Sequence, residues 1–239
     1  MNKILITTNT LSGGGMERAA LNYAIQLDKE GYKIVFFTLS SDEVVYDVPK
    51  TIELHHGKKN VKDRYLFPIS LLKLRLFCKK FKPSYVFCFS GRISCYVIMA
   101  LWGIKTNVIP FHRDNPYKTY GKFNDWLNRK LFPKCKALIV QTKKAKEVFS
   151  EKYDNKNIII VPNPVRELNI HNNIPKEPIV LSISRLVTGK GLEKLIEMFA
   201  KKAPPEWRLQ IVGDGPLKQK LQYIAQYHSI ENKVEFTGF

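Results

Sequence analysis

The 239 residues are 44% hydrophobic and 12% aromatic, ample for a packed core and for two domains, and they carry a formal charge of +18. No apolar run approaches the roughly 20 residues of a membrane helix, and the opening Met1–Thr8 reads as a first strand rather than a signal peptide, so a cytoplasmic chain is expected. The four cysteines, Cys78, Cys88, Cys95 and Cys135, fit no zinc or CxxC spacing and read as buried free thiols. Along the chain, short apolar runs alternate with helical periods. Ile4–Thr8 is a strand, and a helix over Glu17–Lys29 is ended by Gly31. Strands over Lys33–Leu39 and Ile52–His55 precede a helix over Ser70–Phe81, stopped by Pro83. Then come strand Tyr85–Phe89, helix Ile93–Leu101, strand Asn107–Phe111, helix Tyr120–Phe132, strand Ala137–Gln141, helix Thr142–Tyr153 and strand Ile158–Val161.

This alternation predicts a parallel sheet covered on both faces. Pro162-Asn163-Pro164 and the polar stretch Leu168–Pro178 break it, which places a domain boundary there. The expected layout is a first domain over 1–165, a linker over 166–178 and a second domain over 179–239. In the second, strand Ile179–Ile183, helix Leu192–Lys202, strand Arg208–Val212, helix Pro216–His228 and strand Lys233–Thr237 follow in turn. Three strands leave that sheet a bare edge.

The charge is uneven. Residues 1–164 hold 28 Lys and Arg against 13 Asp and Glu, whereas residues 165–239 hold 11 against 8. Such a field attracts anionic lipid, nucleic acid or phosphorylated substrates, or serves as a solubilising surface. It concentrates in Lys58–Lys82, where nine cations are interleaved with Leu66, Phe67, Ile69, Leu71, Leu72, Leu74, Leu76 and Phe77 against the single acid Asp63. A second concentration is Tyr117–Lys136, with Trp126 and Phe132 among six cations. A basic amphipathic helix suits an anionic bilayer, and equally a core-facing helix with a wet side.

Four segments carry candidate chemistry. Gly13-Gly14-Gly15 joins a strand to a helix, where glycines admit an anion to unpaired N–H groups or simply form a flexible turn. It is not GxGxxG, and no acidic residue for a nicotinamide ribose follows at the usual distance. Ser184-Arg185-Leu186 with Lys190-Gly191 sets two cations around the end of a strand, an arrangement that suits a diphosphate or two solvated side chains. Val212-Gly213-Asp214-Gly215-Pro216 is a tight turn into a helix. Phe111-His112-Arg113-Asp114-Asn115-Pro116 puts a histidine at a strand end, where the active-site groups of open α/β sheets gather.

Taken in order, GGGMER (Gly13–Arg18), FHRDNP (Phe111–Pro116), IVPNPV (Ile160–Val165), SRLVTGKG (Ser184–Gly191) and IVGDGPLKQKL (Ile211–Leu221) resemble the family 4 retaining glycosyltransferases that build bacterial O-antigen, capsule or exopolysaccharide. The resemblance runs from Lys3 to Phe239. It implies an α/β protein of GT-B type, two Rossmann-like parallel-sheet domains of which the second is incomplete here. It implies that Gly14 and Gly15 lie beside the donor diphosphate, and that Arg185 and Lys190 neutralise it as the sugar–phosphate bond breaks, with no metal or cofactor. Relatives usually place Gly where this chain has Ser184. Gly213 and Gly215 would shape the nucleotide turn, His112 would lie beside the transferred sugar, and Arg113 and Asn115 would help form the sugar or acceptor pocket. The implied partners are a nucleotide-sugar donor, UDP-linked by preference, and a lipid-linked saccharide acceptor. With them goes an anionic membrane surface met by Lys58–Lys82, so the location becomes peripheral on the inner face of the plasma membrane. Nucleic acid is not expected, since no recognised binding module is present. Relatives continue past Val234–Phe239 into an E-x7-E element that holds the donor, so a fragment with little activity alone and a poorly stable second domain is expected. Alternatives are a sugar-nucleotide 2-epimerase and a non-catalytic basic membrane-associated subunit.

Overall fold

The computed structural model describes residues 3–40, 44–58, 67–154, 157–164 and 175–238, which divide into two units, Met1–Glu167 and Leu168–Phe239. Residues 166–174 of the expected linker lie outside the described residues, as do 59–66 of the basic stretch with Lys59, Lys62, Arg64 and Leu66.

The first unit is built on β1 (Lys3–Thr8), five of whose six residues are buried, so both its faces must be covered. The chain adds β2 (Lys33–Ser40) and β3 (Glu53–Lys58) on one side. It then returns to add β4 (Tyr85–Phe89), β5 (Asn107–His112), β6 (Leu138–Val140) and β7 (Ile158–Ile160) on the other. The order is β3-β2-β1-β4-β5-β6-β7, parallel throughout. The direction of growth reverses between β1 and β4, the kind of switch point beside whose carboxyl ends open α/β sheets bind their ligands.

Successive side chains of a strand face opposite sides. Ile4 and Ile6 pack with Phe36, Phe89 and Phe111 under Ala20, Leu21 and Ala24 of α1 (Gly15–Lys29). Leu5, Phe37, Leu39, Val86 and Cys88 pack on the other face, under Leu74 and Cys78 of α2 (Phe67–Phe81) and Val97 of α3 (Ser94–Ala100). On that second side α4 (Lys122–Leu131) follows, and α5 (Lys143–Tyr153) seals Leu138 and Val140 with Phe149 and Tyr153. Each such fully buried side chain contributes about 1.5–3 kcal/mol relative to exposure. Cys78, Cys88 and Cys95 are buried, Cys135 is half-buried, and all four are free.

The helices begin and end where backbone chemistry dictates. Among the described residues α2 already covers Phe67–Ile69, ahead of the expected Ser70, and it includes Pro68, a residue tolerated in a first helical turn. α4 starts at Lys122 because Gly121, at φ 98°, is its N-cap, and Pro133 tightens its exit into a 3₁₀ turn over Phe132–Lys134. Thr142 caps α5 by accepting from the N–H of Ala145 at 3.1 Å.

The second unit is a parallel sheet in the order β10 (Val234–Gly238), β9 (Arg208–Val212), β8 (Ile179–Ile183). α6 (Leu192–Lys202) and α7 (Lys218–Tyr227) cover one face of it, where Ile196, Phe199, Leu209, Ile211, Leu221 and Val234 form the core. On the opposite face Leu181 and Ile183 are exposed. α7 begins at Lys218 rather than Pro216, because Gly215–Lys218 closes a turn first, with the Lys218 N–H on the Gly215 carbonyl at 3.1 Å.

Candidate functional site

In the first unit the candidate residues stand at the carboxyl ends of β1, β4 and β5. The glycine loop after β1 is held from within. Glu17, in the first turn of α1, accepts the N–H of Gly13 at 2.8 Å with one carboxylate oxygen and the Thr10 hydroxyl with the other. This is a capping-box arrangement shifted back by one residue. Gly14 is the N-cap, in extended backbone. Its N–H donates to the Tyr46 hydroxyl at 2.6 Å, and that hydroxyl donates to the Gly14 carbonyl at 2.8 Å. A Cβ on Gly14 or Gly15 would meet nothing within 4 Å among the described residues.

Past β4, the turn carrying Gly91 and Arg92 is fastened by α4. Asn124 donates to the Arg92 carbonyl at 2.8 Å, and Asn128 donates to the Gly91 carbonyl at 3.2 Å. Gly91 closes over His112, and a Cβ there would come within 2.4 Å of the histidine Nε2. His112 ends β5 on the α5 side. It is 2% exposed, its ring 4.3 Å from that of Phe149, and its Nδ1 has no partner among the described residues. Burial lowers its pKa to about 4 against a smaller opposing pull from Asp114, so the imidazole is neutral at pH 7. Asp114 in turn accepts the Tyr120 hydroxyl at 2.5 Å and pairs with Lys118 at 3.4 Å.

Arg113 points to the opposite side from His112. Its guanidinium lies 5.2–5.5 Å from the ring centroids of Tyr23, Phe89 and Phe111, and donates to the side-chain oxygen of Asn163. Gln141 reaches the same oxygen at 3.0 Å. Only 9% of Arg113 is exposed, and its Nε and Nη2 have no partner among the described residues. Three π faces offset part of the cost of burying that charge. Asn115 is exposed, and its side chain accepts the Tyr117 N–H at 2.9 Å in an Asx turn.

In the second unit the strand-end loops of β8 and β9 are knotted together. The N–H groups of Ser184 and Leu186 donate to the carbonyls of Val212 and Asp214 at 3.0 and 2.8 Å, and the Leu217 N–H donates to the Leu186 carbonyl at 3.0 Å. This approach admits no side chain: a Cβ on Gly213 would lie 2.0 Å from the Ser184 carbonyl oxygen, and one on Gly215 would lie 2.5 Å from that of Leu186. Leu186 is fully buried and anchors the knot, leaving Arg185 exposed beside it. Lys190 is also exposed, between Gly189 and Gly191 at φ 86° and 72°, immediately before the N-terminus of α6. Cavities of about 400 and about 630 Å³ lie elsewhere, at α7–β10 and at the start of β4 and β5, and touch none of these residues.

The sequence profile of Glycosyltransferase Family 4 matches residues 13–167, and that of Glycosyl transferases group 1 matches 165–239. The chain belongs to glycosyltransferase family 4. An uncharacterized glycosyltransferase of Haemophilus influenzae is 28% identical over 95% of this chain and 66% of its own length. A Campylobacter jejuni enzyme named as an alpha-1,4-N-acetyl-D-galactosaminyltransferase acting on a diNAcBac-PP-undecaprenol-linked saccharide is 27% identical over 100% of this chain and 68% of its own. Among solved structures, Anabaena HepE in complex with UDP-glucose superposes with a TM-score of 0.78 at 15% identity, covering 99% of this chain and 69% of HepE. Staphylococcus aureus TarM superposes at 0.80 and 14%, covering 100% and 78%. These establish the architecture, Rossmann-like parallel-sheet units of GT-B type. The family 4 chain spans about two thirds of the length of the relatives it matches.

Several site residues of this family 4 chain escape a reading of the sequence. Glu17 is the fourth residue after Gly13, and its place in a first helical turn was a usable signal. Tyr46 and Asn128 gave none, because each acts on a partner 32 to 37 residues away, and Asn163 stood in the IVPNPV motif with no sign of its reach to Arg113, 50 residues away.

Proposed function

We propose that the chain carries out its part of a glycosyl transfer from a nucleotide-sugar, UDP-linked by preference, to a saccharide on a polyprenyl diphosphate, with retention at the transferred carbon. The observation that carries this reading is the knot of Ser184–Leu186 and Gly213–Gly215, which fixes Arg185 at a strand end with its guanidinium exposed. An Arg so held can take two phosphate oxygens at once, and Lys190 adds a point charge at the entrance of α6. Charge builds on the diphosphate as the sugar leaves, and fixed cations stabilise that charge more than they stabilise the ground state. In this reading the two cations supply the neutralisation and no metal is needed. The neutral, buried His112 serves as a hydrogen-bonding group beside the sugar rather than as a charged acid. HepE with UDP and UDP-glucose supports the donor class, and the undecaprenol-linked substrates named for two Campylobacter jejuni relatives support the acceptor class.

Three neighbouring helices support a seat on a membrane surface. α2 exposes Leu72 and Leu76 among Lys73, Lys79 and Lys80. Met99 and Trp102 are exposed at the end of α3, and Phe123 and Trp126 are exposed and stacked on α4. Arg75 ties α2 to the carbonyls of Ala100 and Trp102 at 2.6 and 2.8 Å, and Lys134 lies over the Trp102 ring. Aromatic and leucine side chains among lysines suit the headgroup region of an anionic leaflet, a peripheral seat near a lipid-linked acceptor. No helix among the described residues is long and apolar enough to cross a membrane.

The test is Arg185→Ala and Lys190→Ala, read as UDP-sugar turnover in a chain extended to its relatives' length and as UDP binding by the present chain. Each should fall at least about tenfold, the weight of one charge-assisted contact, with EDTA without effect. Unchanged turnover and binding in both variants remove these residues from the donor site.

A further inference from the structure

Resting on the reading of the glycine loop as a donor-diphosphate contact, we propose that Tyr46 is a gate on that loop, its hydroxyl holding the place of a phosphate oxygen until a nucleoside diphosphate displaces it. One hydroxyl occupies both backbone polar groups of Gly14, accepting its N–H at 2.6 Å and donating to its carbonyl at 2.8 Å. An N-cap N–H with no partner is what makes a helix start receptive to an anion, and here that donor is already taken. The Cβ side of the loop is nevertheless open at these two positions: among the described residues nothing stands within 4 Å of where a Cβ on Gly14 or Gly15 would be. An anion therefore has room to enter and one hydrogen-bonded occupant to exchange for.

Tyr46 is placed to yield. It lies in the irregular segment 44–51, bonded to the loop side through the Val45 N–H on the Leu11 carbonyl at 3.1 Å, with Val44, Tyr46 and Val48 only half-buried. Gly13 is not part of the exchange. Its N–H is held by Glu17, whose second oxygen holds Thr10, so the loop keeps its shape when Tyr46 departs. The carboxylate of Glu17 would also repel a diphosphate at Gly13, which directs the anion to the Gly14–Gly15 side. Arg18 completes the device. Its guanidinium lies 5.6 Å over the Tyr46 ring, and loss of that ring frees a cation one turn into α1 to meet the incoming charge. Tyr46 thus keeps both Gly14 and Arg18 occupied in the unliganded chain.

UDP binding by calorimetry to the 239-residue wild type, Tyr46→Phe, the double variant Tyr46→Phe/Arg18→Gln, and Arg185→Ala tests this. Tyr46→Phe removes the competing hydroxyl and should bind UDP about tenfold more tightly, the weight of the hydrogen bond no longer given up. Adding Arg18→Gln should erase that gain. Tyr46→Phe binding as wild type does, or more weakly, overturns the gate. If Arg185→Ala still loses binding in that case, the donor reading stands without it. A gain that survives Arg18→Gln overturns the part given to Arg18. A wild type that takes up no UDP overturns the donor reading and the gate together.

Discussion

Gly213→Ala should unfold the second unit at markedly lower denaturant, and the size of the loss can be worked from the loop geometry. Gly213 sits at φ 141°, and a Cβ there would lie 2.0 Å from the Ser184 carbonyl oxygen and 3.0 Å from its carbon. Carbon and oxygen in ordinary contact stand about 3.3 Å or more apart, so the loops must separate by more than about 1 Å. That movement pulls on the bonds joining them, Ser184 N–H to Val212 at 3.0 Å and Leu186 N–H to Asp214 at 2.8 Å. Each weakened bond costs about 1 kcal/mol, and the alanine's positive φ costs roughly 1–2 kcal/mol more. The total is about 3 kcal/mol, a large fraction of what a unit of this size has. Trp207 reports it, being half-buried against the second unit's core, whereas Trp102 and Trp126, the other two tryptophans, are already exposed in the first unit. Gly189→Ala is the comparison. It has positive φ, 86°, but open space, so only the dihedral cost of about 1 kcal/mol applies. Urea unfolding followed by tryptophan emission should show Gly213→Ala well below Gly189→Ala, and coincident curves would refute the packing argument.

Burial holds the His112 pKa at about 4, below its usual 6.5, so the folded chain binds fewer protons than the unfolded chain between those values. The stability this brings is complete above pH 6.5 and is lost as pH falls toward 4, about 3 kcal/mol in all; His112→Phe should flatten that slope in unfolding series against pH, with the His112 imidazole proton NMR signals as the direct readout. Burial raises Cys78, Cys88 and Cys135 to about 12 and Cys95 to about 11, so the native chain should leave a disulfide reagent unreacted at pH 8 while all four thiols react in denaturant. Lys73, Lys79 and Lys80 changed together to Gln should weaken co-sedimentation with phosphatidylglycerol vesicles by about 3 kcal/mol, roughly a hundredfold. Equal binding of the triple variant and wild type would take the membrane seat away from α2.

What the sequence made legible is what local chemistry determines. β4, β8, β9 and α6 fall on the residues read from the sequence, because strands covered on one or both faces show apolar runs and helices show their period. The strand-end glycine motifs were legible for the same reason, each standing where a strand stops. The site's wiring was not. The contacts of Arg113 with three aromatic rings and with Asn163, fifty residues on, carry no sequence signal of their own. His112 was correctly set at a strand end, but only the packing of Phe149 and Gly91 over it decides that it is buried and neutral. The Tyr46 contact with Gly14 depends on how an irregular segment folds back, which no periodicity encodes.

The two glycine motifs look alike in sequence, and the structure gives them different physical work. At Gly213 and Gly215 the backbone has positive φ, and the neighbouring loop stands where a side chain would go, so glycine is required by the fold itself. At Gly14 the backbone is extended at φ 166°, and at both Gly14 and Gly15 an added Cβ meets nothing. Neither dihedral nor packing among the described residues excludes alanine there, but Gly14 is an N-cap, where glycine is itself preferred over alanine, whereas Gly15 is the first helical residue, where alanine is the better helix former. The advantage of a bare backbone at Gly15 can then come from something that approaches it from outside the described residues. A group that approaches the peptide plane closely, as a phosphate does at the start of a helix, is such a thing. The second unit's glycines thus admit a neighbouring loop, whereas the first unit's glycines leave the Cβ side of the start of α1 clear among the described residues.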